Sequence, residues 1–483
     1  MTSSLSAAAP GARSSRTPLL LACGGSFLAF LDVTITNLAV PDLAGDFSVG
    51  VTSLSWVVTL YTILFAALLA PAGRLADVVG RRRLFVAGVT TFTAASLVAA
   101  IAPTFGLLLA ARAVQGVGAA LMMPASLAFV LADTPPEKRP AAIGLWSASA
   151  SVAAAAGPAL GGVLVDTLDW RALFCINVPI GAWLSWRAWR LPATPTAESR
   201  GRLPDLVGTA LIAGAVGLLV LGVTEGPTWG WGSVATIASL AVAVALGVLA
   251  LLRSAHQARP AIEIGLWSNR TYASANVVSL LFGVGLYASL LLGVLYLVDV
   301  WGYSELQAGL AMTPGAVFSA AVGIAIGRSA RKPSPSVLVF AGGLTIAATS
   351  AALALWLPAD PHFLTAWLPG GFGLGVGMGA VSVGVSSAAA LSVGPQRFAA
   401  ATGLNIAARQ VGGALGVALL AVILDGRAPG DGAGPFLSVY WLMAGVCVAA
   451  AVVGLRLVLP AATPAAPRAT TSPVTVTATA GGR

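Results

Sequence analysis

The sequence predicts an all-α polytopic membrane protein with fourteen membrane-spanning helices, and three observations carry the prediction. Of its 483 residues 57% are hydrophobic and 9% are charged, where soluble domains carry about 25% charged residues. Apolar segments about twenty residues long recur along the chain, and each, as a helix, can cross a hydrocarbon layer of about 30 Å. Charge is confined to the short stretches between them, most sharply to residues 73–84, GRLADVVGRRRL. Arg74, Arg81, Arg82 and Arg83 are costly in hydrocarbon and favoured beside anionic inner-leaflet lipid. The positive-inside bias therefore places this loop in the cytoplasm and fixes the sidedness of the other loops.

Residues 1–17 form a cytoplasmic N-terminal segment. Spans at 18–40, 53–72, 85–102, 105–132, 141–165 and 172–189 then make an N-terminal six-helix bundle over residues 18–190. Residues 191–260 hold a polar linker, with Pro192, Pro195, Arg200 and Arg202, and two inserted spans at 206–223 and 234–252. Trp229 and Trp231 lie between these two spans at interfacial depth. A C-terminal six-helix bundle occupies residues 261–459, with spans at 272–298, 306–327, 337–357, 363–391, 400–424 and 436–459. Residues 460–483 are rich in Pro, Ala and Thr, present no apolar face and read as a disordered cytoplasmic tail. An even number of spans returns both termini to the cytoplasm.

An internal repeat supports two bundles of six. At an offset of about 254 residues Gly73-Arg74 maps onto Gly327-Arg328, and Gly116 onto Gly370. One residue further on, Gly157, Ala159, Leu160 and Gly161 map onto Gly412, Ala414, Leu415 and Gly416. The central pair of spans is then an insertion between pseudo-symmetric halves.

A sequence pI near 10.2 would point to nucleic acid in a soluble chain. Here the bases cluster at the cytoplasmic ends of the spans, while the outer loops hold Arg171 and Arg427 among many acids. The charge is topological, and no nucleic-acid partner is expected. Cys23, Cys175 and Cys447 fall within apolar spans as packing residues, and His256 and His362 fall in loops on opposite sides of the membrane, so no metal and no cofactor is expected. Lys138 and Lys332 sit in no phosphate-binding motif. The glycine-rich run at 371–379 lies inside a span with no strand before it and reads as packing. The chain is not expected to be an enzyme, and uphill work would have to draw on an ion gradient. Arginine and alanine are favoured as in a GC-rich bacterial genome, which points to a bacterial cytoplasmic membrane.

Gly73, Leu75, Asp77, Gly80, Arg81 and Arg82 stand at the spacing of the signature loop between helices 2 and 3 of the major facilitator superfamily, which the chain resembles. Val78 departs from the pattern, where the family usually has a base. Four further stretches carry the resemblance. Residues 31–41, LDVTITNLAVP, are similar to the first-helix signature of the fourteen-helix drug:proton antiporters at Asp32, Thr34, Asn37 and Pro41. RAVQGVG matches the fourth-helix motif at Arg112, Gln115, Gly116 and Gly118, and GPALGG, with Gly157, Pro158, Gly161 and Gly162, resembles the fifth-helix signature of exporters. Trp170-Arg171 followed by NVPIG at 177–181 fits the start of the sixth helix.

The resemblance implies a major facilitator fold of two pseudo-symmetric six-helix bundles plus two inserted helices, functional as a monomer. It implies a proton-coupled antiporter that exports small lipophilic drugs or antibiotics by alternating access. It also implies that Gly73, Asp77, Gly80, Arg81 and Arg82 form a cytoplasmic gate, with Asp77 docked on the positive end of a neighbouring helix or on a base of its own loop. Two other readings stand beside it: export of an endogenous metabolite, an amino acid or a self-made natural product, and a non-transporting membrane sensor.

Asp32 and Arg112 invite a reading independent of family, because ionisable groups at membrane depth mark a pathway or a relay. Each lies about 12 Å from the outer end of its span at 1.5 Å per residue, so the two stand at matching depth. They are the proton-coupling candidates, and a purely structural ion pair is the alternative. Thr34, Asn37, Thr59, Tyr61 and Gln115 in the first bundle, with Asn405, Arg409 and Gln410 in the second, are candidates to line a substrate cavity. Pro158 removes a helix hydrogen bond and its flanking glycines permit close approach, so the outer half of the fifth span is expected to bend and seal the outer mouth. Asp32 is the single acid placed inside a span, which favours neutral, zwitterionic or monocationic substrates.

Overall fold

The computed structural model describes residues 16–36, 40–47, 49, 51–191, 205–257, 260–261, 263–329, 333–425 and 433–459, and no strand occurs among them. The helices of the first half are α1 (Arg16–Thr36), α2 (Val40–Phe47), α3 (Val51–Val79), α4 (Arg81–Ala100), α5 (Phe105–Asp133), α6 (Arg139–Thr167), α7 (Arg171–Cys175) and α8 (Asn177–Trp189). The inserted pair is α9 (Leu206–Trp229) and α10 (Val234–His256). The second half holds α11 (Arg270–Leu295), α12 (Glu305–Arg328), α13 (Pro335–Trp356), α14 (Leu368–Leu391), α15 (Phe398–Asp425) and α16 (Gly434–Gly454). Twelve helices among the described residues are long and apolar enough to cross a membrane. The other two expected spans are the 29-residue α6, packed between α1 and α12, and the broken pair α7 and α8, packed on α4.

Three departures from the sequence reading have physical causes. Residues 73–84 are two helices meeting at Gly80, whose φ of 113° only glycine adopts freely, and not an open loop. Helix α9 runs six residues past the expected end at 223, because Glu225 is only 4% exposed and ends the apolar run without ending the helix. Asp32 is therefore not the only acid within a membrane helix. The short α2 carries an apolar residue, Leu43, into the core beside Leu54 and Trp170. Residues 1–15 of the expected N-terminal segment, the linker at 192–204 and the tail at 460–483 lie outside the described residues, and Arg16 and Thr17 open α1.

Each half has its own core. Tyr61, Phe85, Phe92, Met122, Met123 and Trp146 fill the first, and Tyr296, Trp301, Trp367 and Phe436 interlock in the second, where Tyr296 Oη and Trp301 Nε1 both donate to the Pro358 carbonyl at 3.0 and 2.9 Å. The glycine run of α14 packs on both sides: Gly375 and Gly379 face Gly315 and Ser319 of α12, and Gly377 faces Gly342 and Ile346 of α13. The inserted α9 lies across the junction of the halves, touching both α3 and α15, while α10 turns Val234, Val244, Leu249 and Leu252 outward.

The repeat offset reappears as contacts. Gly73 of α3 abuts Ala399 and Ala400 of α15, and Gly327 of α12 abuts Ala141 of α6. The same pair of small residues thus closes both seams between the halves at the end that carries the basic motif. Gly157 packs α6 on Thr34 of α1, and Gly412 with Gly416 pack α15 on Leu280 and Val284 of α11. By contact the counterpart of Gly116, which abuts Tyr61 and Leu64, is Gly375 against Gly315 and Phe318, five residues beyond the expected Gly370.

Candidate functional site

Asp32 sits in the last turn but one of α1, and it and its side-chain partners are fully buried. Its Oδ2 accepts from Arg112 Nη1 at 2.6 Å. Its Oδ1 accepts from Asn177 Nδ2 at 2.8 Å and from Gln115 Nε2 at 3.2 Å. Arg112 and Gln115 share one face of α5 because three residues make nearly one turn, and Gln115 Oε1 accepts from Arg112 Nη1 at 2.9 Å. Arg112 Nε donates to the Val57 carbonyl of α3 at 2.8 Å, and its guanidinium lies 4.5 Å above the Tyr61 ring. Gln115 Nε2 also donates to Ser96 Oγ of α4 at 2.7 Å. Helices α5 and α8 reach the carboxylate of α1 directly, and α3 and α4 join the cluster through Arg112 and Gln115.

A buried ion pair is tolerated when its net charge cancels and its spare hydrogen-bonding positions are filled, and this pair meets both conditions apart from Arg112 Nη2, which has no partner among the described residues. Both carboxylate oxygens face donors.

The structure brings Asp32, Arg112, Gln115 and Tyr61 together and separates the other candidates from them. Thr34 Oγ1 donates to the Phe30 and Leu31 carbonyls of its own helix, on the face that meets Gly157. Thr59 is half-buried and is not among the cluster's hydrogen-bond partners. Asn37 lies outside the described residues. Asn405 is a pin between helices: its Nδ2 donates to the Ala275 carbonyl at 3.2 Å and its Oδ1 accepts from Ser279 Oγ at 3.3 Å, both on α11. Gln410 Oε1 accepts from Tyr287 Oη at 2.5 Å. Arg409, 6% exposed, has no hydrogen bond and no carboxylate partner among the described residues.

Sequence reasoning missed Asn177, Ser96, Val57 and Tyr287. Asn177 stood within the NVPIG stretch, and a lone amide just inside an apolar span was its signal, since a buried amide needs partners. The Val57 carbonyl has no such signal, because any backbone carbonyl is chemically equivalent in sequence.

A second cluster closes the basic end. Asp77 Oδ1 accepts from Arg81 Nη2 and Nε at 2.8 and 3.0 Å, and Asp77 Oδ2 accepts from the Ala400 N–H at 2.9 Å, at the N-terminus of α15. Both expected partners of Asp77 are thus engaged at once. Arg81 also donates to the Pro395 carbonyl and Arg82 to that of Leu191. Arg139 lies 5.1 Å over the Phe398 ring, and Glu263 pairs with Arg74 at 2.5 Å and Arg397 at 2.7 Å. At the opposite end Asp46 accepts from Trp170 Nε1 at 2.9 Å and Arg171 Nη1 at 3.0 Å. The Trp170 indole N–H, and then Arg171, hold the Asp46 carboxyl below the usual carboxylate range. Gly157, Pro158, Gly161 and Gly162 lie within an uninterrupted α6; Gly162 meets Leu306 of α12, and the Pro158 side chain lies outside the described residues.

The solved human organic anion transporter MFSD10 (TETRAN) superposes with a TM-score of 0.69 over 92% of this chain and 100% of that one, at 15% identity, a likeness of fold. The multidrug resistance protein Stp of Mycobacterium tuberculosis is 36% identical over 85% of this chain and 76% of its own. The cephamycin export protein CmcT of Amycolatopsis lactamdurans is 34% identical over 86% of each chain. The methylenomycin A resistance protein of Streptomyces coelicolor is 32% identical over 84% of this chain and 85% of its own. The Major Facilitator Superfamily matches residues 22–417, and with relatives of this identity and coverage the chain belongs to that superfamily.

Proposed function

We propose that this protein is an efflux transporter of the bacterial cytoplasmic membrane that exports small antibiotic-like molecules in exchange for protons. The observation that carries the reading is the fully buried Asp32 with its three side-chain donors, an ionisable group at membrane depth in a cluster that joins five helices. The relatives are named for resistance and export, which supports the direction of transport. Counting α6 and the α7 and α8 pair as spans gives fourteen crossings, an even number, and the positive-inside bias at the basic motif supports a cytoplasmic location for that motif and for both ends of the chain. In this conformation the seams at Gly73 and Gly327 close that side.

The cycle follows from the same contacts. Deprotonated Asp32 holds Arg112, and through the Val57 carbonyl and Tyr61 that arginine ties α5 to α3. A proton arriving from outside releases Arg112 from its counter-ion and loosens α1 against α5, which permits the halves to rock. Substrate and proton then compete for one state of the cluster, the condition for exchange. A second reading, export of the organism's own natural product, is favoured by the relative named for cephamycin export, and metabolite profiling of a deletion strain separates the two.

The test is substrate flux in proteoliposomes under an imposed pH difference, with binding measured in parallel. Asp32→Asn is expected to bind substrate and to lose gradient-driven flux. Uphill flux at the parent rate in that variant sinks proton coupling at Asp32.

A further inference from the structure

We propose that the second half holds an anion subsite, in which Arg409, flanked by Gln410 and Tyr287, takes the carboxylate of an amphipathic organic acid during export. This rests on the efflux reading and names the substrate class for it. Arg409 lies eleven residues into α15 from Phe398, about 16 Å from the basic end and so about halfway through a hydrocarbon core of about 30 Å. A guanidinium cannot shed its proton at that depth and must be matched by an anion or by carbonyls. Neither is present: Arg409 is 6% exposed, with no hydrogen bond and no carboxylate within ion-pair distance among the described residues.

Its surroundings are ordered as a binding surface would be. The Arg409 backbone is pressed against Gly283 of α11, and the Tyr287 ring lies against Gly413, one turn further along α15. Tyr287 is the electrostatic neighbour of Arg409, keeps part of its surface open and spends its hydroxyl proton on Gln410 Oε1 at 2.5 Å. That bond fixes the Gln410 amide and leaves its nitrogen end as a donor. Tyr287 is also within electrostatic reach of Tyr61, on which Arg112 stacks. On the other side Arg112 Nη2 is a second buried donor with no acceptor among the described residues.

The interior is short of acceptors by one negative charge. Among the described residues Asp32 cancels Arg112 and no carboxylate pairs with Arg409, so one monoanion balances these three groups, whereas a cation adds to their excess and a dianion reverses it. A carboxylate suits a planar guanidinium because two parallel N–H donors can meet its two oxygens. The expectation of neutral, zwitterionic or monocationic substrates counted membrane acids alone and placed only Asp32 among them. Arg112 occupies that carboxylate.

The probes are triads built on aromatic scaffolds, pyrene and naphthalene among them, each ending in a carboxylate, an alcohol or a primary amine on the same short chain. Their binding to the purified protein in nanodiscs is measured near neutral pH without any gradient. The parent is expected to favour the carboxylate of each triad over the alcohol, and the alcohol over the amine. Arg409→Gln should weaken carboxylate binding by about 10- to 100-fold and leave the alcohols within about threefold, since a hydrogen bond to a charged group is what is removed. Arg409→Lys keeps the charge and should keep the order. Carboxylates that bind no better than alcohols in the parent, or a preference that survives in Arg409→Gln, overturns the subsite. The efflux reading fails separately, if vesicles that bind these acids never move them; export of neutral or cationic compounds alone leaves that reading standing and removes the subsite.

Discussion

Replacing Asp77 with alanine should open the basic end of the transporter, and the size of the effect can be worked from the contacts. Four donors reach the Asp77 carboxylate, but the two from Arg81, at 2.8 and 3.0 Å, lie within the same half and persist whichever way the molecule faces. Only interactions that differ between two states bias their equilibrium. Those are the N–H groups of Ala400 at 2.9 Å and Ala399 at 3.4 Å, which exist only while α15 abuts α3. A hydrogen bond to a charged acceptor contributes about 1.5–3 kcal/mol, and the longer one adds little. Placing the charge at a helix N-terminus falls within the same figure, so about 2–3 kcal/mol of seam energy is lost in Asp77→Ala. At 1.4 kcal/mol per tenfold this shifts the closed-to-open ratio by about 30- to 150-fold. Asp77→Asn keeps an acceptor without the charge and should shift it by about tenfold, since neutral bonds are roughly half as strong. Spin labels at Arg83→Cys and Gln396→Cys, exposed residues on the basic face of each half, report the separation by pulsed electron paramagnetic resonance. A longer distance should grow in the order parent, Asp77→Asn, Asp77→Ala. An unchanged distribution in Asp77→Ala, with the protein still folded, refutes the seam argument.

Three further outcomes follow from the geometry. Gly73→Ala places a methyl group on the Ala399 carbonyl, while Gly327→Ala leaves 3.1 Å to that of Ala141, so the first should hold the basic end open by the same spin-label measurement and the second should do so far less. Gly157→Ala puts its Cβ 2.6 Å from that of Thr34, which forces α6 off α1 and should cost about 1–3 kcal/mol by overpacking; thermal unfolding should show the loss, and Thr34→Ala should restore only part of it because Cβ remains. Asp46, held below its ordinary range by Trp170 and Arg171, contributes stability that is present above about pH 4 and is lost as pH falls through the lower folded value, so the melting temperature should fall below about pH 4 and Asp46→Asn should remove that part of the fall.

Much of the architecture was legible because a bilayer imposes a strict grammar: length, hydropathy and the sign of flanking charge name the spans, and the 254-residue offset between Gly73 and Gly327 named the symmetry that both seams obey. The acid and base at matching depth were legible for the same reason, since a lone charge in hydrocarbon has few permitted partners. What was hidden depended on which neighbour each helix face meets at each depth, which the uniform hydropathy of these helices does not encode. Asn405 and Arg409 are four residues apart on α15, yet one is spent on α11 backbone and the other has no partner among the described residues. Glu225 was hidden differently, because a charge ends an apolar run in sequence without ending the helix that contains it.

The two functional clusters are joined by the helices that carry them, and this bears on how a proton can do work at a distance. Helix α3 supplies the Val57 carbonyl and the Tyr61 ring to Arg112, and the same helix supplies Gly73 and Asp77 to the seam. The sixteen residues from Val57 to Gly73 correspond to about 24 Å of helix. Its interior proline, Pro71, comes after Leu69, whose backbone is already packed against Gly403 of α15, so the stretch from the site to the seam is continuous. Helix α15 repeats the arrangement from the other half, with Ala399, Ala400 and Gly403 in the seam and Arg409 and Gln410 further along. A rigid displacement of α15 against α3 therefore alters the seam and both arginine environments in one movement. No chain of side-chain rearrangements is needed between them, because each helix carries one end of both.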